Sequence, residues 1–201
     1  MTRLRALLRD TRGGPAAEFA LVLPLILLFL FGIIDVGRYV WEVNRAEKAT
    51  QTGARWAAVT DMIPSGLATF SFATTGTLVP AGTPVPASLF PKVTCTSASC
   101  ICASSCAFGP GYSGTAFTNL VTRMDDIKAD IKAANVIVEY SHSGLGFAGD
   151  PNGSDVAPLI TVRLQNMKFV PLTLILFNGS IDLPDFSYSL TMEDGSGDTS
   201  N

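Results

Sequence analysis

Four cysteines are the residues best suited to chemistry, because they crowd into one short segment. Cys95, Cys100, Cys102 and Cys106 are the only cysteines among the 201 residues, and Ser and Ala dominate the chain around them. An even number of cysteines in a loop with few other anchors favours two disulfides in an oxidising compartment, with three possible pairings. The alternative is a tetrahedral zinc site, but C-x4-C-x-C-x3-C differs from the paired C-x2-C spacing of common zinc modules. We therefore expect disulfides.

A second candidate for chemistry is the single histidine. His142 lies between Ser141 and Ser143 in a glycine-rich segment. A serine hydrolase would also need a buried acid and an oxyanion hole, and the sequence has no nucleophile-elbow motif. We expect a solvent-exposed loop histidine and no enzymatic activity.

The segment DPNGSD, residues 150–155, clusters oxygen ligands that suit calcium. Its candidate ligands are Asp150, Asn152 and Asp155. The spacing departs from that of an EF-hand loop, and a polar turn explains the composition equally well. We expect a turn here, with no metal and no cofactor.

The charges are distributed unevenly along the chain. Arginines crowd the first twelve residues, whereas residues 182–201 hold only acidic charges. The net charge of −3 is too small to indicate a nucleic-acid partner. The basic end must therefore be interpreted together with the sequence that follows it.

Residues 19–34, FALVLPLILLFLFGII, contain no charged side chain. A helix that spans a membrane needs about 20 apolar residues, and the neighbouring sequence extends this run in both directions. Asp35 and Arg38 are spaced to pair on one helix face at the membrane boundary, where Tyr39 and Trp41 suit an interfacial aromatic belt. By the positive-inside rule the basic end stays in the cytoplasm and the chain after about residue 45 lies outside. A cleaved secretory signal is the alternative, but no small-x-small site follows the run.

Glu18 stands immediately before this apolar run. A carboxylate at the edge of hydrocarbon costs about 1–3 kcal/mol unless it has a partner, which makes it a functional candidate. The alternative is a charge that reaches the interface without a specific role.

The N-terminal sequence GGPAAEFALVLPLILLFLFGIIDVGRY strongly resembles that of prepilin-like proteins, above all the TadE-type minor pilins of the tight-adherence (Flp) pilus system. The likeness covers roughly residues 9–58. The matching positions are a leader glycine, the acid and aromatic before the run, and the Gly, Asp and Gly-Arg at its end: Gly13, Glu18, Phe19, Gly32, Asp35, Gly37 and Arg38.

The resemblance implies that a prepilin peptidase cuts between Gly13 and Gly14, which leaves Glu18 fifth in the mature chain. Pro15 departs from the pattern and could slow or shift cleavage. The implied protein is a non-enzymatic pseudopilin of the bacterial inner membrane, with Glu18 and Phe19 as assembly residues. Its implied partners are other pilin subunits through the apolar helix, the prepilin peptidase, the pilus assembly platform and the lipid bilayer. An uncleaved membrane-anchored periplasmic domain is the alternative, and a tethered hydrolase lacks convergent residues.

The elements that position these residues follow from the pattern of apolar side chains. A basic leader (1–13) is followed by one helix that is predicted to run from near Pro15 to a stop at Pro64 and Gly66. This helix divides into a transmembrane part (14–41) and a periplasmic extension (42–62). The extension carries small residues on one face, which pack either on another subunit's backbone or on this protein's own sheet: Ala46, Ala49, Gly53 and Ala57.

Residues 63–201 are predicted to form an α+β head of pilin-like character, with the disulfide loop at 95–106. Period-two alternation predicts antiparallel strands at 136–140, 160–164 and 186–192. Apolar spacing from Phe117 to Ile131 predicts an amphipathic helix. A short strand is expected near residues 69–73, and 172–177 is helix or strand.

Overall fold

The computed structural model describes residues 14–75, 79–150 and 154–193. The chain divides into two units. The helical unit joins the chain up to Trp41 with Phe169–Ile181, and the sheet unit comprises Glu42–Lys168 and the chain from Asp182. The predicted α+β class is confirmed by the long N-terminal helix and a small antiparallel sheet.

Helix α1 runs without a break from Gly14 to Ala58. Pro15 lies in its first turn, where a missing N–H leaves no intrahelical bond unmade. Pro24 lies inside the apolar part, an arrangement that membrane helices tolerate more often than soluble ones. The helix ends four residues before the predicted extension does, at a tight turn in which the Val59 N–H donates to the Trp56 carbonyl at 3.2 Å. Within the described part of the chain, α1 is the one helix that is long and apolar enough to cross a membrane.

The strands of the structure, in chain order, are β1 Val93–Cys95, β2 Cys100–Cys102, β3 Val136–Ser141, β4 Leu159–Leu164, β5 Lys168–Phe169, β6 Ile181–Asp182 and β7 Phe186–Thr191. The sheet unit contains a five-stranded antiparallel sheet of order β2-β1-β3-β4-β7. β5 and β6 form a separate two-stranded sheet. The helices after α1 are α2, Ser65–Ala68, and α3, Gly114–Asp125, and short 3₁₀ helices cover Ala87–Leu89, Ala133–Asn135 and Leu172–Phe177.

The alternation that predicted strands also predicts which side chains are buried. β3 buries Val136, Val138 and Tyr140, and the partner strand β4 buries every second residue from Ile160 to Leu164. These side chains lie on one face of the pleated sheet, as period two requires. Burial of the Tyr140 phenol raises its pKa, while its oxygen accepts a hydrogen bond from the Ile63 N–H at 3.2 Å. The three predicted strands are therefore confirmed.

Helix α3 is shorter than the sequence predicts. Ser113 caps its start by accepting from the Ala116 N–H at 3.3 Å, and Phe117, Leu120 and Met124 form its buried face. The predicted helix continued to Ile131, but the observed one ends at Asp125.

Two other expectations about the head were wrong. The strand expected at 69–73 is a turn, because the Phe72 N–H donates to a carboxylate oxygen of Asp155 at 2.5 Å and not to a neighbouring strand. The cysteine segment was expected to be a loop, but it contains β1 and β2. The undecided segment 172–177 is a 3₁₀ helix.

Candidate functional site

The acid that precedes the apolar run lies in the second turn of α1. Glu18 and Phe19 are both exposed. Among residues 14–75, 79–150 and 154–193, the Glu18 carboxylate forms no hydrogen bond or ion pair. Gly13, the other half of the predicted cleavage site, lies outside the described residues, and Gly14 begins the helix. The Glu18 carboxylate is thus presented at the start of the helix without a partner from the described chain.

The apolar part of α1 is also exposed. Its large apolar side chains from Phe19 to Ile34 are all exposed. A soluble protein rarely leaves so large a contiguous apolar surface in water. This stretch therefore requires lipid or other apolar helices around it.

The C-terminal end of the apolar run is marked by a buried acid, Asp35. Its Oδ1 accepts from Arg38 at 3.1 Å and from the Leu172 N–H at 2.7 Å. Its Oδ2 accepts from the Thr173 N–H at 2.9 Å and from the Thr173 hydroxyl at 2.8 Å. The predicted Asp35–Arg38 pair is present, and the carboxylate also caps the start of the 3₁₀ helix Leu172–Phe177.

The same segment of chain is held to α1 at a second place. The ring of Phe169 meets Tyr39 edge-on, with centroids 5.6 Å apart, and the Arg38 guanidinium lies 5.2 Å from the Phe169 centroid. We call Phe169–Ile181 the docked loop. Its contacts join residues more than 130 positions apart in sequence, so no local pattern could reveal them.

The small-residue face of α1 is used inside the sheet unit. Ala46, Ala49, Gly53 and Ala57 are all buried. A Cβ at Gly53 would meet the Met124 side chain of α3 at 2.8 Å. Of the two alternatives for this face, the structure shows burial within the protein, and at Gly53 the neighbour is helix α3.

Two charged residues of α1 contact the segment that follows α3. Glu42 forms an ion pair with Lys128, whose side chain is only 3% exposed. Arg45 donates from Nε at 3.0 Å and from Nη2 at 2.7 Å to the Ile127 carbonyl. Both of these guanidinium donors thus bind one backbone carbonyl, two residues beyond the last residue of α3.

The cysteines form two disulfides, Cys95–Cys100 and Cys102–Cys106. The first joins β1 to β2 at a pair of directly opposed residues. In the described part of the chain no cysteine is free and no cluster of His, Cys, Asp or Glu is arranged to hold a metal ion.

His142 is half-buried, so the expectation of a solvent-exposed side chain was wrong. Its Nε2–H donates to the Val85 carbonyl at 2.8 Å. The neighbouring hydroxyls donate to backbone carbonyls: Ser141 to Leu159 at 3.3 Å, and Ser143 to Ala157. These hydroxyls and the imidazole are thus used in holding loops to the sheet.

Asp155 fastens two loops together. Besides the bond from Phe72, Oδ2 accepts from the Ser71 hydroxyl and Oδ1 from the Asp150 N–H, each at 3.2 Å. Asn152, the remaining calcium candidate, lies outside the described residues. The buried Asp155 carboxylate thus accepts hydrogen bonds from the chain itself and holds these loops in place.

Comparison with known proteins agrees with the N-terminal resemblance. The family model described as TadE-like protein matches residues 13–55. No curated protein and no solved structure matches the chain. The match includes Glu18, the exposed apolar run and Asp35, and it ends within the buried part of α1. The predicted relationship is therefore confirmed over this segment: residues 13–55 carry the sequence pattern of the TadE-like family.

Proposed function

We propose that this protein is a TadE-type minor pilin that assists the assembly of a Flp-type adhesion pilus. The observation that carries the proposal is the coincidence of the TadE-like match at 13–55 with a helix that exposes Glu18 directly ahead of an exposed apolar run. The family match by itself supports a Tad pilus-associated protein with an N-terminal membrane helix.

The proposed chemistry begins with removal of the leader. A prepilin peptidase cuts between Gly13 and Gly14 and creates a new α-amine. Glu18 lies four residues later, about one helical turn along α1. Its carboxylate accepts a charge-assisted hydrogen bond from the Gly14 amine of a neighbouring subunit, and such bonds are about twice as strong as neutral ones.

The exposed apolar surface of α1 supplies the remaining contact between subunits. Because the small-residue face at 46–57 is buried inside the sheet unit, packing between subunits falls to the part of the helix before Asp35. The partners in this proposal are pilin or pseudopilin subunits, the assembly platform and, before assembly, the lipid bilayer.

We place the protein in the bacterial inner membrane with a single span, its N-terminus cytoplasmic and its head periplasmic. The arginine-rich leader supports this orientation by the positive-inside rule. The two disulfides support an oxidising compartment for the head. The proposed role is non-enzymatic, in keeping with the use of the His142 and Asp155 side chains in backbone hydrogen bonds.

An uncleaved, membrane-anchored periplasmic domain is the second candidate. Pro15 favours it, because a proline directly after Gly14 departs from the family pattern at the proposed cleavage site. In this case α1 serves only as an anchor, and neither Gly14 nor Glu18 contacts another subunit.

Replacing the helix distinguishes the two candidates. We expect that a chain whose residues 14–34 are exchanged for an unrelated transmembrane sequence of equal length will remain in the membrane but fail to restore surface pili to a strain lacking this protein. The unaltered chain is the control, and abundance in the membrane fraction is measured beside pilus number. Full restoration of pili by the exchanged chain would favour the plain anchor.

A further inference from the structure

The docked loop is uncharged and largely apolar, and most of its large apolar side chains are exposed. Between Lys168 and Asp182 the sequence FVPLTLILFNGSI holds no charged residue. Val170, Leu172, Leu174 and Ile175 are exposed. Four exposed apolar side chains within six residues form a patch, and such patches mark places where a protein contacts lipid or another protein.

The position of this patch along α1 is set by Asp35. A span of about 20 residues counted from Phe19 ends near Arg38. Asp35 comes three residues earlier, which is about 5 Å along the helix axis. Because Leu172 and Thr173 hydrogen-bond directly to the Asp35 carboxylate, they lie at the depth where hydrocarbon meets the headgroup region.

The backbone of the docked loop is suited to that depth. Non-helical backbone enters lipid only where its polar groups find partners within the protein. The Leu172 and Thr173 N–H groups are bonded to Asp35, and the Leu174 N–H donates to the Pro171 carbonyl at 3.2 Å. At the other end, the Gly179 N–H donates to the Leu174 carbonyl at 3.1 Å. The exposed apolar side chains can thus be buried in lipid without stranding these donors.

We infer that the docked loop is a second membrane element, whose residues 170–175 insert into the leaflet at the C-terminal end of the α1 span. The lipid bilayer is the occupant that the observations favour, because the patch belongs to the same unit as the exposed apolar run and is hydrogen-bonded to Asp35, the residue that directly follows this run. Interfacial apolar segments reach about 5–10 Å into the headgroup and acyl boundary. Asp35 and Arg38 then form a neutral pair that holds the loop to the span.

This inference rests on the anchoring of α1 in a membrane and not on cleavage or pilus assembly. The test uses the full chain reconstituted in phosphatidylcholine vesicles, with bromine placed either high on the acyl chains or near their ends. Bromine quenches only tryptophan that it can approach. Both native tryptophans are first removed by Trp41→Phe and Trp56→Phe. One tryptophan is then added to this starting variant by Ile175→Trp, Leu145→Trp or Leu27→Trp.

Leu145 is the matched control, because its side chain and that of Ile175 are each 56% exposed. We expect the tryptophan at 175 to lose most of its emission to the shallow bromine and less to the deep one. The tryptophan at 145 should keep its emission with both lipids. The tryptophan at 27 should be quenched strongly by the deep bromine, which tests the anchor separately.

An unquenched tryptophan at 175 beside a quenched one at 27 would overturn the loop insertion and leave the anchor intact. No quenching at 27 would refute the anchor itself. Quenching at 175 should not depend on the ratio of protein to lipid. If instead it disappears as the protein is concentrated, a second copy covers the loop and the inference is wrong. If the chain without its native tryptophans folds poorly, the test is repeated with Val170→Trp in the otherwise unaltered chain. The emission of the unaltered chain is then subtracted.

Discussion

Glu18→Ala is expected to abolish surface pili while the protein stays abundant and inserted in the membrane. Under the proposed mechanism the substitution removes the acceptor for the Gly14 amine of an adjacent subunit. A hydrogen bond to a charged group contributes about 1.5–3 kcal/mol, which corresponds to a loss of about tenfold to a hundredfold at each subunit contact. The amine would also be left without a partner in a low-dielectric environment, which adds to the cost.

The sheet unit should not respond to this change, because no described contact involves Glu18. Glu47→Ala is the matched control: Glu47 lies on the same helix, is exposed, and within the described residues accepts only from Gln51 at 3.3 Å. Surface pili and membrane-fraction abundance are scored for both variants. Equal pilus numbers in the two would remove the pilin-type role of Glu18 and favour the plain anchor.

Glu42→Ala should destabilise the sheet unit by about 2–3 kcal/mol. The Lys128 side chain is 3% exposed and its ammonium is paired with Glu42, itself 22% exposed. Removing one partner of a buried pair leaves an uncompensated charge, which costs about 3–5 kcal/mol when burial is complete. Partial exposure of Glu42 admits some water and reduces that figure.

Chemical unfolding of the detergent-solubilised protein, followed by circular dichroism, measures this effect. Glu47→Ala again serves as the control and should change the free energy of unfolding by no more than about 0.5 kcal/mol, as for most surface substitutions. Both variants leave the apolar run untouched, so membrane insertion should be normal. A Glu42→Ala chain as stable as the Glu47→Ala chain would show that Lys128 does not depend on its partner.

The parts of the fold that were predictable from sequence are those whose cause is local or periodic. The apolar run made α1 evident, and alternation in 136–140 and 160–164 made β3 and β4 evident. The pairing of Asp35 with Arg38 followed from their spacing on one helix face. Glu18 was chosen as a candidate because a carboxylate beside hydrocarbon is costly, and its assembly role stays a prediction.

The parts that were missed or left undecided depend on contacts between distant residues. The turn at 69–73 exists because Asp155 accepts from Phe72, and the 3₁₀ helix at 172–177 starts where Asp35 caps it. The early end of α3 coincides with hydrogen bonds from Arg45 to the Ile127 carbonyl. In each case the hydrogen-bond partner lies far away in the chain, so the sequence of the affected segment gives no indication of it. Strands as short as β1 and β2 likewise carry too few residues for alternation to be detected.

The central claim is that the chain is processed and used as a pilin, and the N-terminus of the mature protein tests it most directly. N-terminal sequencing of the protein extracted from membranes of a pilus-producing cell should give Gly-Pro-Ala-Ala-Glu, which begins at Gly14 and places Glu18 fifth. A mature chain that still begins at Met1 would contradict the account and leave an uncleaved membrane anchor in its place.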